Sequence, residues 1–89
     1  MWRQLDDALV TELKFKNFVD AFAFMGDVAA LAEAQNHHPE WSNVYNRLTI
    51  RLTTHDAGNR ITDKDRKLAE AIEALPSASL VQAIGQDPD

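Results

Sequence analysis

Three histidines, His37, His38 and His55, are the residues of this chain best suited to proton chemistry near neutral pH, and no cysteine competes with them as a nucleophile. His37 and His38 sit in Glu33-Ala34-Gln35-Asn36-His37-His38-Pro39-Glu40-Trp41, and His55 follows one strand-length later. In a helix Glu33 and His37, four residues apart, share a face. A carboxylate beside an imidazole fixes its tautomer and favours its protonated form, and the C-terminal end of a helix acts in the same direction. The expectation is a Glu33–His37 pair, with His38 turned elsewhere by Pro39, so that two adjacent imidazoles hold different edges of a planar ligand.

The same residues also fit a purely structural account. Histidine is common at helix ends because it satisfies terminal carbonyls, and His-Pro can act simply as a stop. Trp41 suits a core anchor, Asp56 can start a turn, and Asp65 suits the third position of a capping box. Standard signatures are absent: there is no phosphate-cradling glycine loop, no HExxH and no zinc quartet. Adjacent His37 and His38 are awkward joint ligands for one ion, so no metal site is expected.

The elements that must position these groups follow from periodicity. Residues 2–5 suit a short strand or arm. Leu9, Thr11, Leu13 and Phe15 alternate with Val10, Glu12 and Lys14, predicting a half-buried strand from Ala8 to Phe15. Asn17 can cap a helix running to about Asn36 and ending near His37. Its predicted buried stripe is Phe18, Phe22, Met25, Ala29 and Ala32, widened by Val28 and Leu31. A second strand is expected over Val44–Thr54, with Val44, Leu48, Ile50 and Leu52 on the apolar face. Simple alternation puts His55 on the opposite face, so it can meet His37 only if the strand bends or ends near Thr54. Asp56-Ala57-Gly58-Asn59 signals a turn. Thr62 to Asp65 reads as a capping box before a helix carrying Leu68, Ala69, Ile72 and Leu75, which Pro76 stops. The tail is loosely encoded, with Leu80, Val81 and Ile84 able to add a docking turn.

The fold class expected is α+β: one domain over residues 1–89, an antiparallel sheet of about four strands, and two main helices on one face. A net charge of −5 with dispersed Lys and Arg speaks against direct nucleic-acid or anionic-membrane binding. No signal-like opening or spanning apolar run is seen, so the chain reads as cytoplasmic. Self-association is a plausible source of extra burial for so small a core.

The series Glu33-x-x-x-His37-His38-Pro39-Glu40-Trp41-x-Asn43-Val44-Tyr45-Asn46, then Thr54-His55-Asp56 and Asp65, resembles the signature of pterin-4a-carbinolamine dehydratases. Phe15-Lys16-Asn17-Phe18 and Ala21-Phe22-x-Phe24-Met25 are similar to that family's strand-to-helix passage, and the likeness runs from about Trp2 to Leu75. The resemblance implies removal of water from 4a-hydroxytetrahydropterin to give quinonoid dihydropterin, without metal or organic cofactor, by a homodimer or homotetramer. It implies His37, His38 and His55 as catalytic residues, with Glu33 and Asp65 as supporting acids; Trp41 would back the site or touch the pterin. Some members of that family also serve as dimerisation cofactors of a homeodomain transcription factor. An alternative is a non-catalytic oligomerisation module keeping the same fold. Two departures from the pattern are a shorter span from Trp2 to Phe15, with no segment before it, and a longer turn from Asp56 to Ile61.

Overall fold

The computed structural model describes residues 1–85; residues 86–89, the end of the expected domain and its tail, lie outside them. The chain runs β1 (Arg3–Leu5), β2 (Ala8–Lys14), α1 (Phe18–Gln35), β3 (Glu40–Val44), β4 (Arg47–Leu52), α2 (Asp63–Glu73) and β5 (Ala83–Ile84). Single turns of 3₁₀ helix occupy His55–Ala57 and Pro76–Leu80. The four main strands form an antiparallel sheet in the order β1-β2-β4-β3, and β5 joins the edge of β2 at Leu13 and Lys14. The two helices pack against the sheet, as expected.

Alternation along β2 and β4 decides which sheet face is covered. The register pairs Leu9 with Leu52, Thr11 with Ile50 and Leu13 with Leu48, so these side chains share one face. That face meets Phe24 and Val28 of α1 and Leu68 and Ile72 of α2 in a single core. Phe15, leaving β2, meets Phe24 with ring centroids 5.4 Å apart in a tilted arrangement.

Two expectations are corrected. The predicted strand Val44–Thr54 is in fact the second half of a hairpin: β3 runs to Val44, the chain reverses through Tyr45 and Asn46, and β4 starts at Arg47. Glycine and proline do not mark this turn. Tyr45 takes the left-handed conformation at φ 53°. The side-chain amide of Asn43 donates to the carbonyls of Tyr45 and Arg47, and that of Asn46 donates to the Phe15 carbonyl. Because Val44 pairs with Arg47, the reversal inverts the parity. Val44 therefore lies with the outer polar residues and is 72% exposed. Trp41 takes the covered side, opposite Ile50.

The second correction concerns the rotation of α1. Its fully buried residues are Ala21, Phe24, Val28 and Ala32, whereas Phe18 and Phe22 are exposed and stack on each other at 5.7 Å. The helix is apolar around most of its circumference, so periodicity alone admits several buried stripes; contact with Phe15 and the sheet selects Phe24. The helix end falls within a residue of the expected position. Asn36 adopts the left-handed conformation (φ 50°, ψ 43°), its N–H bonding back to Ala32 and Glu33. The helix thus closes at Gln35, before His37.

Asn17 caps α1 by accepting from the Asp20 N–H at 2.9 Å. Thr62 and Asp65 form the predicted reciprocal capping box on α2. Beyond Leu75 the chain crosses back to β2, where the Gly85 N–H bonds the Glu12 carbonyl at 2.6 Å. A Cβ at Gly85 would lie 2.9 Å from that of Glu12, so this approach requires glycine. Among the described residues no helix is long and apolar enough to cross a membrane.

Candidate active site

The left-handed turn at Asn36 governs the directions of the two adjacent histidines. Both lie beyond the helix, so the four-residue face-sharing of Glu33 and His37 does not apply. Instead Nε2 of His38 meets Oε2 of Glu33 at 2.6 Å, both groups being exposed. His37 is tied by its N–H to the Ala32 carbonyl and turns inward, where its Nε2 lies 2.6 Å from Oδ1 of Asp65. The expected Glu33–His37 pair is thus exchanged for Glu33–His38 and Asp65–His37.

Asp65 is the most enclosed polar group of the site, with no exposed side-chain surface. Its carboxylate receives three donors: His37 on Oδ1, and on Oδ2 both the Thr54 hydroxyl at 2.7 Å and the Thr62 N–H at 2.8 Å. Burial by itself would raise its pKa above the ordinary 3.8, but these hydrogen bonds and the nearby His37 charge outweigh it and hold the group lower. Asp65 is therefore ionised at neutral pH. As an acceptor only, it requires the His37 proton to sit on Nε2.

His55 reaches the same region because β4 ends at Leu52. Thr54 then bridges to Arg60, and His55 opens the 3₁₀ turn that closes at Gly58 (φ 80°). This early strand end meets the geometric condition that alternation imposed on His55. Its Nδ1 lies 2.7 Å from Oδ1 of Asn59, and its Nε2 lies 3.4 Å from Oε2 of Glu40.

His37, His38 and His55 all line one cleft of about 230 Å³, together with Asn36, Thr53, Thr54, Asp56 and Lys64. The remaining expected residues stand around it. Asp65 lies beneath His37, Glu33 braces His38 from outside, and Trp41 packs against the core away from the cleft lining. Sequence reasoning passed over Asn36, Thr54 and Lys64 as cleft residues and Asn59 as the partner of His55. Adjacency to His37 and His55 was the available signal for Asn36 and Thr54. Lys64 and Asn59 carried none, since their positions depend on how α2 and the Asp56–Ile61 turn meet the end of β4. Among the described residues no three His, Asp or Glu side chains are grouped to hold a metal ion.

Comparison with known proteins gives a consistent result. The family model of pterin 4 alpha carbinolamine dehydratase matches residues 1–75. A protein named as a pterin-4-alpha-carbinolamine dehydratase from Prochlorococcus marinus strain MIT 9313 is 60% identical over 74 residues, covering 83% of this chain and 76% of that protein. One so named from Solibacter usitatus strain Ellin6076 is 58% identical, covering 83% and 77%. The crystal structure of a transcriptional coactivator/pterin dehydratase from Brucella melitensis superimposes with TM-score 0.77 at 43% identity, covering 82% of this chain and 79% of that one. With its matched region spanning most of its length, this chain belongs to the pterin 4 alpha carbinolamine dehydratase family of hydro-lyases.

Proposed function

We propose that the protein dehydrates 4a-hydroxytetrahydropterin to quinonoid dihydropterin in tetrahydropterin recycling in the cytoplasm, through histidine general acid/base catalysis. The observation that carries this reading is the convergence of His37, His38 and His55 on one cleft, each held by a different partner. The reaction breaks the C4a–O bond, delivers a proton to the departing oxygen and removes the N5 proton as the C4a–N5 double bond forms. Two imidazoles, each able to take up or give a proton, suit those two transfers.

The partners divide the roles. With its Nε2 proton committed to Asp65, neutral His37 carries its lone pair on Nδ1, which makes no hydrogen bond among the described residues. It is the proton acceptor for N5. His55 has an oxygen acceptor beside each ring nitrogen, Asn59 and Glu40, and can carry both protons. It is the donor to the leaving hydroxyl. His38, braced by exposed Glu33, orients the pterin. The apolar outer side of α1, where Phe18, Val19 and Phe22 are exposed, supports self-association into a dimer or tetramer. The competing reading, a non-catalytic association module, uses Asp65 to cap α2 but gives no role to three histidines gathered at one cleft.

The test follows the decay of enzymatically generated 4a-hydroxytetrahydropterin with and without the protein. Wild type should accelerate it, and His37→Ala and His55→Ala should each lower the rate by about 10²-fold or more. His37→Ala should flatten the acid limb of the pH–rate profile and His55→Ala the alkaline limb. Folded single variants with wild-type turnover would end the assignment.

A further inference from the structure

A hydroxyl group carries one proton, and at Thr54 this count fixes a direction. Oγ1 of Thr54 lies 2.7 Å from Oδ2 of Asp65 and 2.7 Å from Oγ1 of Thr62. Asp65 is ionised and can only accept, so Thr54 must spend its single proton there. The Thr54–Thr62 contact then requires the Thr62 hydroxyl to donate to Thr54. Thr62 meanwhile accepts from the Lys64 N–H at 3.3 Å, as the capping residue of α2. The protons run one way, from Thr62 to Thr54 to Oδ2 of Asp65, while Oδ1 faces the Nε2 proton of His37.

Thr54 is almost wholly buried, at 5% exposure, and its backbone is pinned on both sides of the site. Its N–H bonds the Arg60 carbonyl at 3.0 Å, and its carbonyl accepts from Ala57 and Asn59, closing the turn that carries His55. One residue thus touches both halves of the proposed machinery: its side chain through Asp65 to His37, and its main chain to the adjacent His55.

We infer that Thr54 is a positioning residue of the dehydratase, whose hydroxyl holds the Asp65 carboxylate so that His37 keeps its proton on Nε2 and presents Nδ1 to the substrate. The inference rests on the catalytic reading of His37, but the wiring itself has an independent readout. Without the Thr54 proton, the Asp65 charge is shared between His37 and the Thr62 N–H alone, and the imidazolium is held more firmly. The other titratable groups lining the cleft, His38, His55, Asp56 and Lys64, form no hydrogen bond with the Thr54 hydroxyl, whose partners are Asp65 and Thr62.

The experiment compares wild type with Thr54→Val, Thr54→Ser and Thr62→Val by ¹⁵N NMR of the histidine rings and by carbinolamine dehydration across pH. Wild-type His37 should be the Nε2–H tautomer when neutral. Thr54→Val should lower kcat about tenfold, the cost of one hydrogen bond to a charged group, with KM moving less. Its acid limb should move to higher pH, and Thr54→Ser should restore both. Thr62→Val leaves Thr54 free to donate to Asp65, so it should lower thermal stability while the His37 tautomer stays as in wild type. A wild-type His37 protonated on Nδ1, or a Thr54→Val enzyme with unchanged kcat and acid limb, overturns the inference, as does a Thr54→Val defect that serine leaves in place. A wild-type protein with the expected tautomer but no dehydratase activity instead refutes the catalytic reading and leaves the wiring standing.

Discussion

Replacing Asp65 by Asn tests the buried carboxylate on which both α2 and His37 depend. The two side chains have nearly the same shape, but Asn has one oxygen and an NH₂ group where Asp65 has two acceptors. Three donors converge on that carboxylate at 2.6, 2.7 and 2.8 Å. Whichever way the amide is turned, its NH₂ opposes at least one donor at a side chain with no exposed surface. Each hydrogen bond to a charged group contributes about 1.5–3 kcal/mol, and stranding a buried donor adds to the loss, so Asp65→Asn should destabilise by about 3 kcal/mol. At about 0.05–0.15 kcal/mol per residue, a chain of 89 residues has about 4–13 kcal/mol in all, so the variant should be folded but fragile. The corresponding fall in Tm is about 12–24 °C, readable by circular dichroism. A pH series isolates the charge. Because the folded-state pKa of Asp65 lies below its ordinary 3.8, its ionised form contributes stability that is complete above that value and is lost as the pH falls through the folded one. The gap between wild type and Asp65→Asn should therefore be full at about pH 7 and shrink below about pH 4. A gap that stays the same at low pH, or a Tm loss of less than about 4 °C, would refute the reasoning.

Other outcomes follow from the packing. Phe24→Ala should cost about 3–5 kcal/mol in urea denaturation. Phe22→Ala, at an exposed position of the monomer, should cost about 0.5 kcal/mol or less when measured under dilute, monomeric conditions; the reverse order would mean that α1 is rotated to the stripe read from periodicity. Asn36→Gly should keep the left-handed helix stop and leave stability nearly unchanged, whereas Asn36→Val should lose about 1–2 kcal/mol through backbone strain. Since that turn directs His37 inward, Asn36→Val should also weaken the His37–Asp65 contact seen by ¹⁵N NMR.

Much of the architecture follows from local chemistry legible in the chain. The β2 alternation, the Asn17 and Thr62 caps, and the stops near Pro39 and at Pro76 each act over a few residues. Periodicity and capping rules therefore find them without knowledge of the partner elements. The Tyr45–Asn46 turn was hidden because side-chain amides of Asn43 and Asn46, rather than glycine, stabilise it. Missing that turn moved Val44 to the wrong face, since a reversal inverts the parity of every residue before it.

The residues from Glu33 to Trp41 show where local reading stops. Sequence alone singled out Glu33, His37, His38, His55 and Asp65 as the candidates for the chemistry, because they are the histidines and the acids that match the family series. It also determined that His37 and His38 must diverge at a helix end. Which acid serves which histidine was decided only in three dimensions. One left-handed residue, Asn36, turns His37 onto Asp65, 28 residues away in sequence, and leaves Glu33 to His38. Sequence spacing measures proximity only while the helix continues, and here the helix ends before the histidines begin.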